Sequence, residues 1–309
     1  MADLIVESEL TGTRDGLTQL QRRWRSAEGD PQPRPTADGR PSPPTEPGRP
    51  RSAVLLVHGI GEHSGRYDHV GRHLAEHGHD VLAFDSRGHG QSGGRRGHVE
   101  SFHQVLDDVE DLVVERRQVQ APVVLFGHSL GGLVAAAYAA SDRPQPELLV
   151  LSAPALSAVV PRWQLLAAPL LSRVAPKMFI KRDLKGALLS VDPEVQRLYD
   201  DDPLRVPGAT ARFGQEILLA MADTTASLGR IKVPTYVLHG GADELVPPEV
   251  SQPLADLPLV TRRVWPGLRH EALNEPSWLD VLDDVEVWLD SALDTLPAVE
   301  ERRSGQGRP

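Results

Sequence analysis

Ser129 stands in Gly127-His128-Ser129-Leu130-Gly131-Gly132, between the apolar run 123–126 and a run of small helix formers ending near Ala140. A serine at the apex of a strand–turn–helix joint has its hydroxyl exposed on a strained turn, so residues two before and two after must lack side chains. Gly127 and Gly131 meet that demand, and Gly132 lets the helix press close to the strand. A serine hydroxyl attacks only if a base takes its proton and a third group orients the base. On such a joint the chain order is serine, acid, histidine. Asp243 follows the strand-like run 235–238 and the His239-Gly240-Gly241 turn, with Glu244 as its neighbouring rival. His270 is the last of twelve histidines and the one downstream of Asp243. His128, beside the serine, should point away from the hydroxyl and act structurally. A tetrahedral intermediate needs two backbone donors. The N–H of Leu130 is one, and the N–H of Ile60, in the glycine-flanked loop His58-Gly59-Ile60-Gly61, is the other.

These residues need a frame that brings distant loops to one edge. Runs 4–10 and 17–25, separated by Thr13-Arg14-Asp15-Gly16, read as a hairpin. From Ser52 the pattern is strand, loop, helix, repeated. Strands at 53–57, 81–84, 123–126 and 148–151 alternate with helices at about 67–77 and 102–119, the second carrying Val105, Leu106, Val109, Leu112 and Val113 on one stripe. The rhythm implies an α/β fold with a mostly parallel sheet and helices on both faces. It fails between 153 and 230, where no strand is evident and helices at 163–174 and 211–221 are punctuated by proline. That segment reads as a helical cap inserted after the sixth strand. The rhythm resumes with strands at 235–238 and 261–265, a short helix at 248–255 and a closing helix at 277–293 with Trp278, Leu282, Val285, Trp288 and Leu289 on one stripe. The core is thus expected at 1–152 and 231–296. The proline-rich stretch 29–50 reads as a flexible loop and 297–309 as a disordered tail.

With 309 residues the chain can bury a substantial core, and its formal net charge of −10 argues against a nucleic-acid partner. The absence of cysteine excludes disulfides, thiol nucleophiles and thiolate metal sites. The acidic start MADLIVESEL carries no signal-peptide pattern, so a cytoplasmic protein is expected. No phosphate loop, dinucleotide fingerprint or compact metal motif appears, and no cofactor is expected. His69, His73 and His77 recur at helical spacing and read as a solvated face. Segment 153–171 approaches the length of a membrane span, but three prolines, Arg162 and Gln164 interrupt it. Cap core and a lipid-facing cap surface, with peripheral membrane contact, both remain open.

The stretch His58-Gly59-Ile60-Gly61-Glu62-His63-Ser64-Gly65-Arg66-Tyr67, with Asp85-Ser86-Arg87-Gly88-His89-Gly90, the Ser129 turn and the Asp243 and His270 loops, closely resembles the monoacylglycerol lipase family of α/β-hydrolases. The resemblance runs from about Ser52 to Leu293. It implies a serine hydrolase that releases one fatty acyl chain from a glycerol ester through an acyl-enzyme. It also implies that Glu62 and Arg66 hold the glycerol end of the substrate, although the same pair could equally be an ion pair bracing its loop. Lysophospholipase, carboxylesterase and thioesterase activities occur on similar loops. A ligand-binding protein on the same scaffold is the non-enzymatic alternative.

Overall fold

A computed structural model describes residues 4–27, 49–157, 161–182 and 184–296; the expectations for most of 29–50 and for the tail lie outside them. Strands β1 (Leu4–Gly12) and β2 (Thr18–Ser26) form the N-terminal hairpin. Then follow β3 (Ala53–Val57), α1 (Asp68–Glu76), β4 (Asp80–Phe84), α2 (Phe102–Arg116), β5 (Val123–His128), α3 (Leu130–Ala139) and β6 (Leu148–Ser152). After a long excursion come β9 (Thr235–Gly240), a short α7 (Gln252–Ala255), β10 (Val260–Trp265) and α8 (Trp278–Thr295). The sheet order is β1-β2-β4-β3-β5-β6-β9-β10. Only β2 runs against its neighbours, because it enters from a hairpin while every later strand returns through a crossover.

The central strands are apolar throughout because both of their faces are covered. Every residue of β3, AVLLV, is buried, and alternate side chains serve opposite layers. Leu55 and Val57 pack toward α2 and α3 with Leu125 and Leu149, whereas Val54 and Leu56 pack toward α1 and α8 with Phe126 and Val150. Each such side chain, fully removed from water, stabilises the fold by about 1.5–3 kcal/mol. The Val105–Val113 stripe of α2 and the Leu282, Val285 and Leu289 stripe of α8 are buried as their periodicity requires.

The excursion between β6 and β9 holds α4 (Arg162–Val174), α5 (Pro193–Asp200) and α6 (Ala211–Ser227). It also holds two strands that the sequence did not signal, β7 (Phe179–Lys181) and β8 (Gly208–Thr210), paired antiparallel. Three residues each, with the partner nearly thirty positions away, leave no alternation to read. A second correction concerns α1. His69, His73 and the adjoining His77 are half-buried against α8 instead of forming a solvated face. The His69 ring meets Trp278 edge-on at 4.7 Å, and His73 lies 3.2 Å from Asp283. They border the buried Val70 and Leu74, so the helix that covers those residues also covers the histidines.

Candidate active site

Ser129 joins β5 to α3 with φ 52° and ψ −113°, a strained conformation for a residue with a Cβ. Close packing holds it there. A Cβ on Gly127 would lie 2.2 Å from the Gly131 carbonyl oxygen, and one on Gly131 would lie 2.0 Å from the Val57 carbonyl oxygen. The Ser129 N–H donates to the Ser152 carbonyl at 2.9 Å, and the Ser129 carbonyl accepts from Ala155 at 3.0 Å. The end of β6 therefore clamps the turn on both sides.

His270 Nε2 lies 2.8 Å from Ser129 Oγ, and its Nδ1 lies 2.7 Å from Asp243 Oδ2. With Nδ1–H donating to the carboxylate, Nε2 is left as the acceptor for the serine proton. All three side chains are buried. Asp243 Oδ1 accepts from the N–H groups of Leu245 and Val246 at 2.9 Å each. Burial alone would raise the Asp243 carboxyl; hydrogen bonds from His239 and His270 outweigh it and hold the group far below the usual carboxylate range. Glu244, the rival acid, is exposed. His128 turns aside from the hydroxyl: its Nδ1 is 3.0 Å from Ser152 Oγ, and burial, aided by His270, pushes its pKa down to about 4.

The first loop lies against the serine, since a Cβ on Gly59 would come within 3.1 Å of Ser129 Cβ. His58 locks this loop, donating from Nδ1 to the Gly59 carbonyl at 2.7 Å and accepting at Nε2 from the Ser86 N–H at 2.9 Å. Leu130 is the first residue of α3, so its N–H has no acceptor within the helix and is available to a substrate.

The family model described as serine aminopeptidase, S33, matches residues 48–277. A monoacylglycerol lipase of Mycolicibacterium smegmatis is 36% identical over 255 residues, covering 79% of this chain and 90% of its own. The chain belongs to the monoacylglycerol lipase family of the α/β-hydrolase fold. It is therefore a serine ester hydrolase. The crystal structure of a Paleococcus ferrophilus monoacylglycerol lipase superimposes with a TM-score of 0.73 at 33% identity, over 79% of this chain and 96% of that one. The phospholipase YtpA of Bacillus subtilis is 30% identical over 78% of this chain and 96% of its own length.

In this lipase-family chain Glu62 is buried and its contacts are internal. Its Oε1 accepts from the Gly59 N–H at 2.6 Å and from the Tyr67 hydroxyl at 2.7 Å, and its Oε2 lies 2.8 Å from Arg66. Burial opposes the charge on Glu62, but Arg66 holds the carboxyl well below its usual range. The Arg66 guanidinium also forks onto Glu271, at 2.5 and 2.7 Å, and lies 4.9 Å from the centre of the Tyr199 ring. One arginine thus joins the Gly59 loop, the residue after His270, and α5. Its outer edge borders a cleft of about 890 Å³ that Asp192, Asp202 and Trp278 also line.

Two contributors escaped the sequence reading. His239, buried at the end of β9, lies 3.3 Å from Asp243 Oδ2 and 2.7 Å from the Val246 carbonyl, so it fixes the acid from behind. Its signal was a polar residue closing an otherwise apolar strand. Asp85 accepts from Ser64 and Gln91, joining the loops after β3 and β4. Among the described residues one trio, His73, His77 and Asp283, brings possible metal-ligand atoms within 4.8 Å of one another. The two rings are stacked 4.0 Å apart and 24° from parallel, and His77 Nδ1 already lies 2.6 Å from the His73 carbonyl oxygen.

Proposed function

We propose that this hydrolase cleaves monoacylglycerol to glycerol and a free fatty acid, with Ser129 as nucleophile, His270 as general base and then acid, and Asp243 as the group that orients and stabilises the imidazolium. The hydrogen-bonded chain from Ser129 through His270 to Asp243 carries the reading. Ser129 Oγ adds to the ester carbonyl as His270 takes its proton, and the N–H groups of Ile60 and Leu130 receive the developing oxyanion. Collapse expels glycerol, protonated by His270. Water then hydrolyses the acyl-enzyme by the same steps in reverse. Glu62 and Arg66 brace the Ile60 loop in this scheme.

We extend the proposal to the surface that collects the substrate. The 153–230 segment acts as a cap, and α4 exposes Trp163, Leu166, Leu170 and Val174 at helical spacing, with Phe179 and Ile180 exposed just beyond. No helix among the described residues is long and apolar enough to cross a membrane. The patch suits peripheral contact with a lipid surface, from which a single-chain amphiphile reaches Ser129. The similarity to a phospholipase supports a second reading, lysophospholipid as substrate. A panel of monoacylglycerol, diacylglycerol, lysophospholipid and acyl-thioester, with fluorophosphonate labelling of Ser129, tests both. Monoacylglycerol should be turned over fastest, and Leu166→Glu/Leu170→Glu should lower long-chain turnover while sparing a soluble short-chain ester. Absence of labelling would refute the nucleophile assignment; equal losses on both esters would refute the docking surface.

A further inference from the structure

We propose that the cap docks selectively on anionic lipid surfaces, an inference that rests on the lipid-docking reading above and adds the sign of charge it selects. The whole chain contains four lysines, and three of them, Lys177, Lys181 and Lys185, fall within nine residues directly after the apolar stripe of α4. From 162 to 185 there are six cations and a single acid, Asp183, in a chain whose net charge is −10. Arg173, Lys177, Lys181, Arg182 and Lys185 are all exposed, interspersed with the exposed Val174, Met178, Phe179 and Ile180. The core adds a further cation. Arg95, itself exposed, donates from its guanidinium to the Lys177 carbonyl at 3.1 Å, holding both its own charge and the lysine-bearing turn at this place.

Asp183 falls within this segment, Asp200 comes beside it by accepting from the Gly186 N–H at 3.1 Å, and Glu100 of the core lies within reach of Lys177, but most carboxylates of the cap lie on another element. Asp192, Glu194, Asp200 and Asp201 flank or belong to α5, where Arg197 offsets part of their charge. At physiological ionic strength the field of an exposed charge decays over about 8 Å, so the local sign and not the net charge governs contact with a membrane. An anionic surface therefore repels most of this protein and attracts the 162–185 face. Apolar side chains entering the interface and cationic tips remaining at headgroup level is the arrangement that long basic side chains favour.

The test is sedimentation of the full chain carrying Ser129→Ala with vesicles of phosphatidylcholine alone, or with about a third phosphatidylglycerol. Each lysine reaching an anionic surface contributes about fivefold in partitioning, so three contribute up to roughly 100-fold. The mixed vesicles should bind at least about tenfold more tightly, with the difference abolished at high salt. Lys177→Gln/Lys181→Gln/Lys185→Gln should lower the preference at least about tenfold, with the arginines of the face left in place, yet keep binding to phosphatidylcholine. The same triple substitution with Ser129 intact should leave turnover of a soluble short-chain ester unchanged, which shows that the chain folds. Equal binding to both vesicle types, or a preference undiminished by the triple substitution, overturns charge selection and leaves the docking reading standing. Binding to neither vesicle type overturns the docking reading and this inference with it.

Discussion

Arg66→Met separates a brace from a substrate contact. The guanidinium is 11% exposed and lies between two carboxylates, Glu62 at 3% and Glu271 at 4%. Methionine keeps much of the apolar stem but leaves two buried carboxylates facing each other without their cation. Removing one member of a buried ion pair typically costs 3–5 kcal/mol, a large part of the ~5–15 kcal/mol that stabilises a domain. The sign of the pH dependence follows. In the parent protein the depressed Glu62 carboxyl contributes stability that is present above the ordinary glutamate pKa of about 4.3 and is lost as pH falls below it. In the variant a carboxylate deprived of its cation binds a proton more tightly when folded than when unfolded. Its stability therefore rises as pH falls from 8 toward 5. Urea unfolding at pH 8 and pH 5 measures both effects, and the deficit should be larger at pH 8. The Gly59 loop and the Glu271 backbone should loosen together, lowering kcat on a short ester. A stability change under about 1 kcal/mol at both pH values, with a raised KM for monoacylglycerol alone, would refute the brace and make Arg66 a substrate contact.

Ser129→Ala and His270→Ala should each lower kcat on a p-nitrophenyl ester by on the order of 10⁴–10⁶, and the double variant should lose little more, because the triad acts as a unit. Multiplicative losses would dissolve the triad. Gly131→Ala, whose Cβ would lie 2.0 Å from the Val57 backbone oxygen, should cost several kcal/mol and yield little folded protein at 37 °C. Gly214→Ala, in the interior of α6 with nothing within 4 Å of the added Cβ, should instead raise stability by about 0.5–1 kcal/mol in thermal unfolding.

What was legible in the sequence was local. The strand, the glycine-flanked serine and the small-residue helix at 123–140 lie within one continuous stretch, as do the alternating units around them. For Glu62 and Arg66 the sequence left a glycerol contact and a loop-bracing ion pair equally open, and the two side chains are paired at 2.8 Å. The third member, Glu271, joins from 205 residues away, and no spacing rule reaches that far. His239 was hidden for a related reason. Its contact with Asp243 needs the loop after β9 to fold back over the strand end, which depends on Asp243 accepting from Leu245 and Val246. The histidines of α1 were misread because their environment is set by α8, an element two hundred residues downstream.

The spacing of acid and base follows from how two loops are stitched together. Between β5, which leads into Ser129, and β9, which precedes Asp243, lies only β6, so two strand spacings of about 5 Å separate their ends. One imidazole, hydrogen-bonded at 2.8 and 2.7 Å on its two sides, spans most of that gap. The ring must arrive from β10, on the far side of β9, and its loop has to lie directly on the acid loop. Gly240 permits this, since a Cβ there would sit 2.0 Å from the Arg269 carbonyl oxygen. The Ala242 N–H donates to the Leu268 carbonyl at 2.8 Å, and the Arg269 N–H donates to Glu275 at 2.7 Å. The cap holds the same loop from its other side, with the Glu271 N–H donating to the Leu189 carbonyl at 2.9 Å and Glu275 accepting from the Val191 N–H at 2.8 Å. The 162–185 face lies outside these contacts, so its charge and apolarity can differ without altering the geometry on which proton transfer depends.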